Sequence, residues 1–203
     1  MVTKLVLVRH GETETNVRGT LHVAGDPEKL TKKGRDQIKI TAKYLCSLDP
    51  AKVYCSKEKR AGESAEIISK ICNTPLLAIN GLEERNWGDF SNKTWGEVEE
   101  VLEPMLLEER YNYVPPKGES WKEVEERIIK TIDRILKDNQ GKVVTVVSHG
   151  GTIRILMPYL LKAPKEETFK HNPDNASITI FDYSKGKFKK ERINDTLHLK
   201  VVK

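Results

Sequence analysis

Apolar residues run unbroken at Leu5-Val6-Leu7-Val8 and again at Val143-Val144-Thr145-Val146-Val147. A strand with one wet face would alternate, so these runs predict strands covered on both faces. Between them the period becomes helical. Ile38, Ala42, Leu45 and Leu48 form one stripe behind Thr31, a capping residue, and Asp49-Pro50 stops the helix. Val53-Tyr54-Cys55 reads as a short strand. Ala61, Ala65, Ile68 and Cys72 mark one face of a second helix ended by Thr74-Pro75, and Leu76 to Ile79 reads as a third strand. Strands alternating with helices predict a parallel sheet with right-handed crossovers.

The rhythm breaks over 81–118. Glycines, prolines and the aromatic positions Trp87, Trp95, Tyr111 and Tyr113 predict a loop plus a short helix over the sheet edge, a lid candidate. Ser120-Trp121-Lys122-Glu123 is a capping box for an amphipathic helix through Val124, Ile128, Ile132 and Ile135, closed at Gln140-Gly141. A further helix starts near Thr152. Strands at Ala176 to Tyr183 and Phe188 to Ile193, joined through Ser184-Lys185-Gly186, complete the pattern.

Composition narrows the class. With 203 residues, 37% of them hydrophobic and 32% charged, the chain can build one globular domain with a sizeable core. No apolar run is long enough for a membrane span, and the N-terminus enters the first strand without the pattern of an export signal, so a cytoplasmic location is expected. Cys46, Cys55 and Cys72 form no CxxC pair and are expected as reduced thiols. The net charge of +5 is spread along the chain, and the densest basic stretch, Lys185 to Arg192, alternates with Phe188 and Glu191. That reads as a solvated hairpin face, so neither nucleic acid nor membrane is expected as a partner. A positive potential favours small anions. Oligomeric state stays open, a homodimer included.

Both apolar runs end in the same chemistry: Arg9-His10-Gly11 after the first, Ser148-His149-Gly150 after the second. Parallel strands bring their carboxyl ends to one sheet edge, where ligands gather, so His10 and His149 are expected to face one cleft. A lone histidine is more often a buried, hydrogen-bonded core residue; two in matching settings point to a site. A metal triad of His10, His149 and a carboxylate fits by residue type. Arg9, beside one candidate ligand, and Arg60, at the start of the helix after the second strand, argue instead for a phosphate dianion, which guanidinium groups bind bidentately. Helix N-termini after Ser56 and Gly150 would add N–H donors. On its own, Arg60 in a Lys-Glu-Lys-Arg run is equally an exposed helix residue.

Arg9-His10-Gly11-Glu12-Thr13 with Asn16, Ser56 through Arg60-Ala61, Leu82-Glu83-Glu84 with Gly88, Gly118-Glu119-Ser120 and Ser148-His149-Gly150 occur in one order. That set resembles the histidine phosphatase superfamily, in the branch shared by cofactor-dependent phosphoglycerate mutase and related phosphatases. The match spans Lys4 to beyond Gly151, with a similar tail at Asn175 to Tyr183 and Asp195 to Leu199. The resemblance implies an α/β fold, a three-layer α/β/α Rossmann-like sandwich around a mostly parallel sheet. It is expected as a single domain over 1–203, with 81–118 as an insertion over the site.

It also implies a phosphohistidine mechanism without metal or cofactor. His10 would accept the phosphoryl group, a backbone carbonyl fixing its tautomer. Arg9, Arg60, His149 and the Asn16 amide would bind the phosphoryl oxygens beside Gly150, His149 helping most when protonated. Glu84 would protonate the leaving oxygen and then activate water. Glu83 stands where many members carry arginine. Neighbours on an extended segment point oppositely, so Glu84 is expected to face the phosphate and Glu83 to be solvated. Gly88-Asp89-Phe90-Ser91-Asn92 replaces a more usual Trp-Glu-Gly ending near the substrate. His22, His171 and His198 are expected on the surface or in loops, His22 in a loop that could reach substrate. Trp87 and Trp95 read as packing residues or cleft lining, and Glu12 has no separate role.

The implied activity is a histidine acid phosphatase-type hydrolysis of a small phosphorylated metabolite. A phosphoglycerate mutase is the nearer alternative, disfavoured because the family's mutases tend to carry a longer cap. A non-catalytic phosphate-binding module is the other, and a decayed site would usually lack one of these histidines, arginines or the carboxylate.

Overall fold

The computed structural model describes residues 1–200. Strands β1 (Thr3–Arg9), β2 (Lys52–Cys55), β3 (Leu76–Ala78), β4 (Val143–Ser148), β5 (Ile178–Ser184) and β6 (Lys187–Asp195) form one sheet in the order β3-β2-β4-β1-β5-β6. The four strands on the β3 side run parallel, and β5 and β6 add an antiparallel hairpin at the other edge. The helices are α1 (Glu14–Arg18), α2 (Lys32–Cys46), α3 (Lys59–Cys72), α4 (Trp95–Leu102), α5 (Leu107–Asn112), α6 (Trp121–Asp138) and α7 (Gly150–Leu161).

Strand alternation divides the interior into two cores. Leu5 and Leu7 of β1, with Val144 and Val146 of β4, join the α6 and α7 side chains Ile128, Ile132, Ile155 and Leu156. Val6, Val8 and Val147 point the other way, to Ile38 and Leu45 of α2 and Ala61, Ala65 and Ile68 of α3. Both faces of the central strands are covered, which is why their sequence shows no alternation. The result is the expected three-layer α/β/α arrangement.

Most start signals hold locally. Thr31 caps α2 by accepting from the Gly34 N–H, and Ser120 and Glu123 form the reciprocal box that starts α6. The loop after β1 contains a short helix, α1; Thr13 caps it, with Asn16 closing the box. Helix α7 starts at Gly150, two residues ahead of expectation. The 81–118 stretch holds a 3-10 turn, Gly88–Phe90, and two short helices, α4 and α5, whose Val98, Leu102 and Tyr111 pack into the core on the α6 side.

One expectation is overturned outright. Cys46 and Cys72 are joined by a disulfide, tying the end of α2 to the end of α3, and only Cys55 remains a free, buried thiol. The two cysteines lie 26 residues apart without a motif, so nothing in their spacing signals that adjacent parallel helices end side by side. No helix among the described residues is long and apolar enough to cross a membrane.

Candidate active site

The register of β1 against β4 pairs Arg9 with Ser148, so His10 and His149 leave the sheet at the same height. The His10 N–H donates to the Ser148 carbonyl at 3.0 Å, and the two imidazole centroids lie 5.2 Å apart. His10 Nδ1 is 2.7 Å from the Gly11 carbonyl oxygen. A carbonyl only accepts, so Nδ1 carries the proton and Nε2 keeps its lone pair. The turn carrying His10 fits closely on α2: a Cβ on Gly11 would sit 2.4 Å from the Gly34 oxygen, and one on Gly34 would sit 2.1 Å from the Glu12 oxygen. Glu12 strengthens the seam by accepting from Thr31 Oγ1 and Lys33 Nζ, which gives it the structural role its sequence setting did not.

Arg60 enters on the first turn of α3 and is 1% exposed, which rules out the surface reading. Its Nε and Nη1 have no hydrogen-bond partner among the described residues, and Nη2 forms an ion pair with Glu58. Glu58 also lies 3.6 Å from His149 Nε2, and neither His149 ring nitrogen has a hydrogen-bond partner. Arg9 donates through Nη1 to the Pro173 carbonyl, while its buried Nε is free. Asn16 Oδ1 is engaged by the Thr13 N–H and by Asn175 Nδ2. Unpaired donors buried in this number are costly unless an anion satisfies them.

Above them opens a cleft of about 600 Å³ lined by Arg9, Asn16, His22, Glu84, Gly150 and Arg154, among others. His10, Arg60 and His149 do not line it directly; they are 2%, 1% and 0% exposed. Glu84 faces the cleft, as expected, held by the Gly151 N–H at 2.9 Å and the Arg85 N–H at 2.8 Å. Glu83 turns away, accepting from the Gly81 N–H at 2.7 Å and half-buried where full solvation was expected. The segment is fixed from beneath: Ser148 Oγ donates to the Leu82 carbonyl, Thr152 Oγ1 to that of Glu83, and Arg127 to those of Glu83 and Glu84.

The electrostatics favour neutral rings. Burial, reinforced by Arg60 and Arg9, holds His10 well below the usual imidazole range. Burial and Arg60 do the same to His149, which favours its neutral ring in the free protein. Burial pushes Glu58 up to about 7 and lowers the Arg9 guanidinium to about 10, still charged at neutral pH.

His22, expected in a loop that could reach substrate, sits in a loop and lines the cleft: its ring meets that of His10 edge-on at 5.7 Å, and its Nε2 lies 3.0 Å from both Thr13 Oγ1 and Glu28 Oε2. His198 packs on Tyr44 with its Nε2 2.9 Å from Thr41 Oγ1. Sequence reasoning missed Glu58, which sits in a run of charges that reads as solvated; Asn175, which opens the tail similar to the family's, donates to the His10 carbonyl.

Comparison with known proteins agrees with this geometry. A metal-independent phosphoserine phosphatase from Arabidopsis thaliana is 31% identical, over 99% of this chain and 85% of its own length. A 2,3-bisphosphoglycerate-dependent phosphoglycerate mutase from Thermoplasma acidophilum is 29% identical, over 90% and 88%. Two solved structures superpose closely: Bacillus stearothermophilus YhfR, with a TM-score of 0.86 at 28% identity over 97% of this chain and 99% of that one, and a phosphoserine phosphatase mutant from Entamoeba histolytica in complex with phosphoserine, at 0.85 and 27% over the same shares. The sequence profile of the histidine phosphatase superfamily (branch 1) matches residues 5–196. With its paired histidines at one sheet edge and that profile over nearly its whole length, the chain belongs to the histidine phosphatase superfamily.

Proposed function

We propose that the protein is a metal-independent phosphomonoesterase that hydrolyses a small phosphorylated metabolite through a phosphohistidine on His10. The observation that carries the reading is the His10 tautomer: Nδ1–H is committed to the Gly11 carbonyl, so the bare Nε2 is the only ring atom able to attack. Arg9 and Arg60 supply unpaired guanidinium donors beside it, suited to the spread charge of a transferring phosphoryl group.

In the first step Nε2 bonds to phosphorus as the P–O bond to the leaving group breaks, and Glu84, protonated, gives its proton to the departing oxygen. In the second, Glu84 takes a proton from water, the water oxygen bonds to phosphorus, and the P–N bond breaks to return neutral His10 and inorganic phosphate. The Asn16 amide and the Gly150 N–H at the start of α7 hold the phosphoryl oxygens throughout. The Arabidopsis relative supports both the hydrolysis and the absence of a metal step, because it is itself described as metal-independent.

The test is a quench of the enzyme during turnover of a 32P-labelled monoester. An acid-labile, base-stable phosphoenzyme should form and vanish in His10→Ala. Assaying 3-phosphoglycerate with and without 2,3-bisphosphoglycerate separates release of phosphate from isomerisation, the outcome a mutase would give. Turnover by His10→Ala at the normal rate, or strict dependence on an added divalent metal, would refute the proposal.

A further inference from the structure

One wall of the cleft is a ladder of aromatic rings. Trp95 meets Trp87 edge to face with centroids 6.0 Å apart, Trp87 meets Trp121 at 5.5 Å, and Trp121 meets Phe169 at 6.4 Å. All four line the cleft that Arg9, Glu84 and Gly150 also line. The inner pair is buried, but Trp95 and Phe169 remain 38% and 37% exposed.

The ladder is held stiffly. The Arg85 guanidinium lies 4.4 Å from the Trp87 ring and 4.6 Å from that of Trp121, and it donates through Nε to the Glu119 carbonyl and through Nη2 to that of Tyr113. Gly88, with φ of +52°, brings the Trp87 turn so near the Pro116 carbonyl that a Cβ would lie 2.0 Å from its oxygen. Rings fixed in advance lose little freedom when a ligand packs on them, and flat apolar faces left wet gain most from a flat partner. The cleft volume of about 600 Å³ lies in the range that encloses ring-bearing ligands. Charges along the same wall come in both signs, Glu99 with Arg110 and Arg154, and both arginines already donate to backbone carbonyls.

We propose that the substrate's leaving group carries a flat unsaturated ring that packs on an exposed end of the ladder, Trp95 or Phe169, making this a phosphatase for ring-bearing monoesters over small aliphatic ones. The inference rests on the reading of His10, Arg9 and Arg60 as the phosphate end of the cleft.

Benzyl, cyclohexylmethyl and ethyl phosphate share a primary alcohol leaving group and differ in the ring, so their kcat/KM values test the wall. Benzyl phosphate should exceed ethyl phosphate by about tenfold and cyclohexylmethyl phosphate by about threefold, the scale of one aromatic contact. Trp95→Ala or Phe169→Ala, on separate elements, should pull the benzyl-to-ethyl ratio toward one. Equal values for the planar and the puckered ring, or an unchanged ratio in both variants, would overturn the proposal. Calorimetric binding of benzylphosphonate and methylphosphonate to the unaltered protein separates the two readings. If no monoester is hydrolysed, tighter binding of the benzyl compound still supports the aromatic wall while the catalytic reading falls; equal binding overturns the wall.

Discussion

The carboxylate of Glu58 forms an ion pair with the guanidinium of Arg60 deep in the protein, the side chains 5% and 1% exposed. An internal anion thus occupies the arginine proposed to receive phosphate, and a phosphate dianion has to share Arg60 with it. Glu58→Gln removes that competition while keeping the shape. We expect inorganic phosphate to inhibit several-fold more tightly in the variant. Breaking a buried pair leaves a charge stranded, so stability without phosphate should fall by about 3 kcal/mol. Saturating phosphate should then raise the Tm of the variant more than that of the parent. Weaker phosphate inhibition in Glu58→Gln would show instead that Glu58 aims Arg60 at the ligand.

The buried rings make stability depend on pH with a definite sign. His10 and His149 are held well below 6.5 by burial and then Arg60, and burial lowers His22 to about 3. The unfolded chain protonates these rings from 6.5 downward and the folded chain does not. Their contribution is therefore complete above 6.5 and lost as pH falls below it toward the folded values. Glu58 acts oppositely, since burial raises it from 4.5 to about 7; its contribution is present below 4.5 and lost as pH rises through about 7. Three rings outweigh one carboxyl. The Tm in phosphate-free buffer is expected to fall from pH 7 to pH 5, and His149→Asn should flatten that fall. A Tm that rose over the interval would contradict the neutral-ring assignment.

The central strands and both histidines were legible in the sequence because their signal is local: unbroken apolar runs ending in Arg-His-Gly and Ser-His-Gly. The alternation of Leu5 and Leu7 against Val6 and Val8 between two cores is hidden in such a run, since every position is apolar. Glu84 was separable from Glu83 only through the opposed directions of neighbours on an extended segment. Glu58 was not legible. It owes its setting to His149, far along the chain, and a burial that makes a charge functional leaves no mark on the charge itself. The aromatic wall was half visible, as Trp87 and Trp95; Phe169 joins it from a different part of the chain.

The disulfide was invisible for the same reason, and it has a measurable consequence. Closing a loop over the sequence separation of 26 from Cys46 to Cys72 removes unfolded-state entropy worth about 3.5 kcal/mol in the chain-entropy account. Reduction, or Cys46→Ser, should lower the Tm by several degrees. Equal Tm values for the oxidised and reduced protein would show that the crosslink adds no stability.

Gly151 offers a way to disturb the proposed acid without touching its chemistry. A Cβ at this position would lie 2.5 Å from Glu84 Oε1 and 2.9 Å from the far edge of the Trp121 ring. Trp121 is 1% exposed and packed between Trp87, Phe169 and Arg85, so it cannot yield, and the start of α7 has to shift by a few tenths of an ångström to clear it. The Glu84 carboxylate can yield, because one face of it borders the cleft. Gly151→Ala should therefore push Glu84 off the Gly151 N–H, while Nε2 of His10 keeps its tautomer. Proton delivery to the leaving oxygen is worth about 10²- to 10⁴-fold in such reactions. A loss of at least about tenfold in kcat is expected for alkyl monoesters, whose leaving oxygen needs the proton. The loss should be much smaller for 4-nitrophenyl phosphate, whose phenolate departs unaided. Equal losses on both substrates would place the damage at phosphate binding and remove Glu84 from the acid's role.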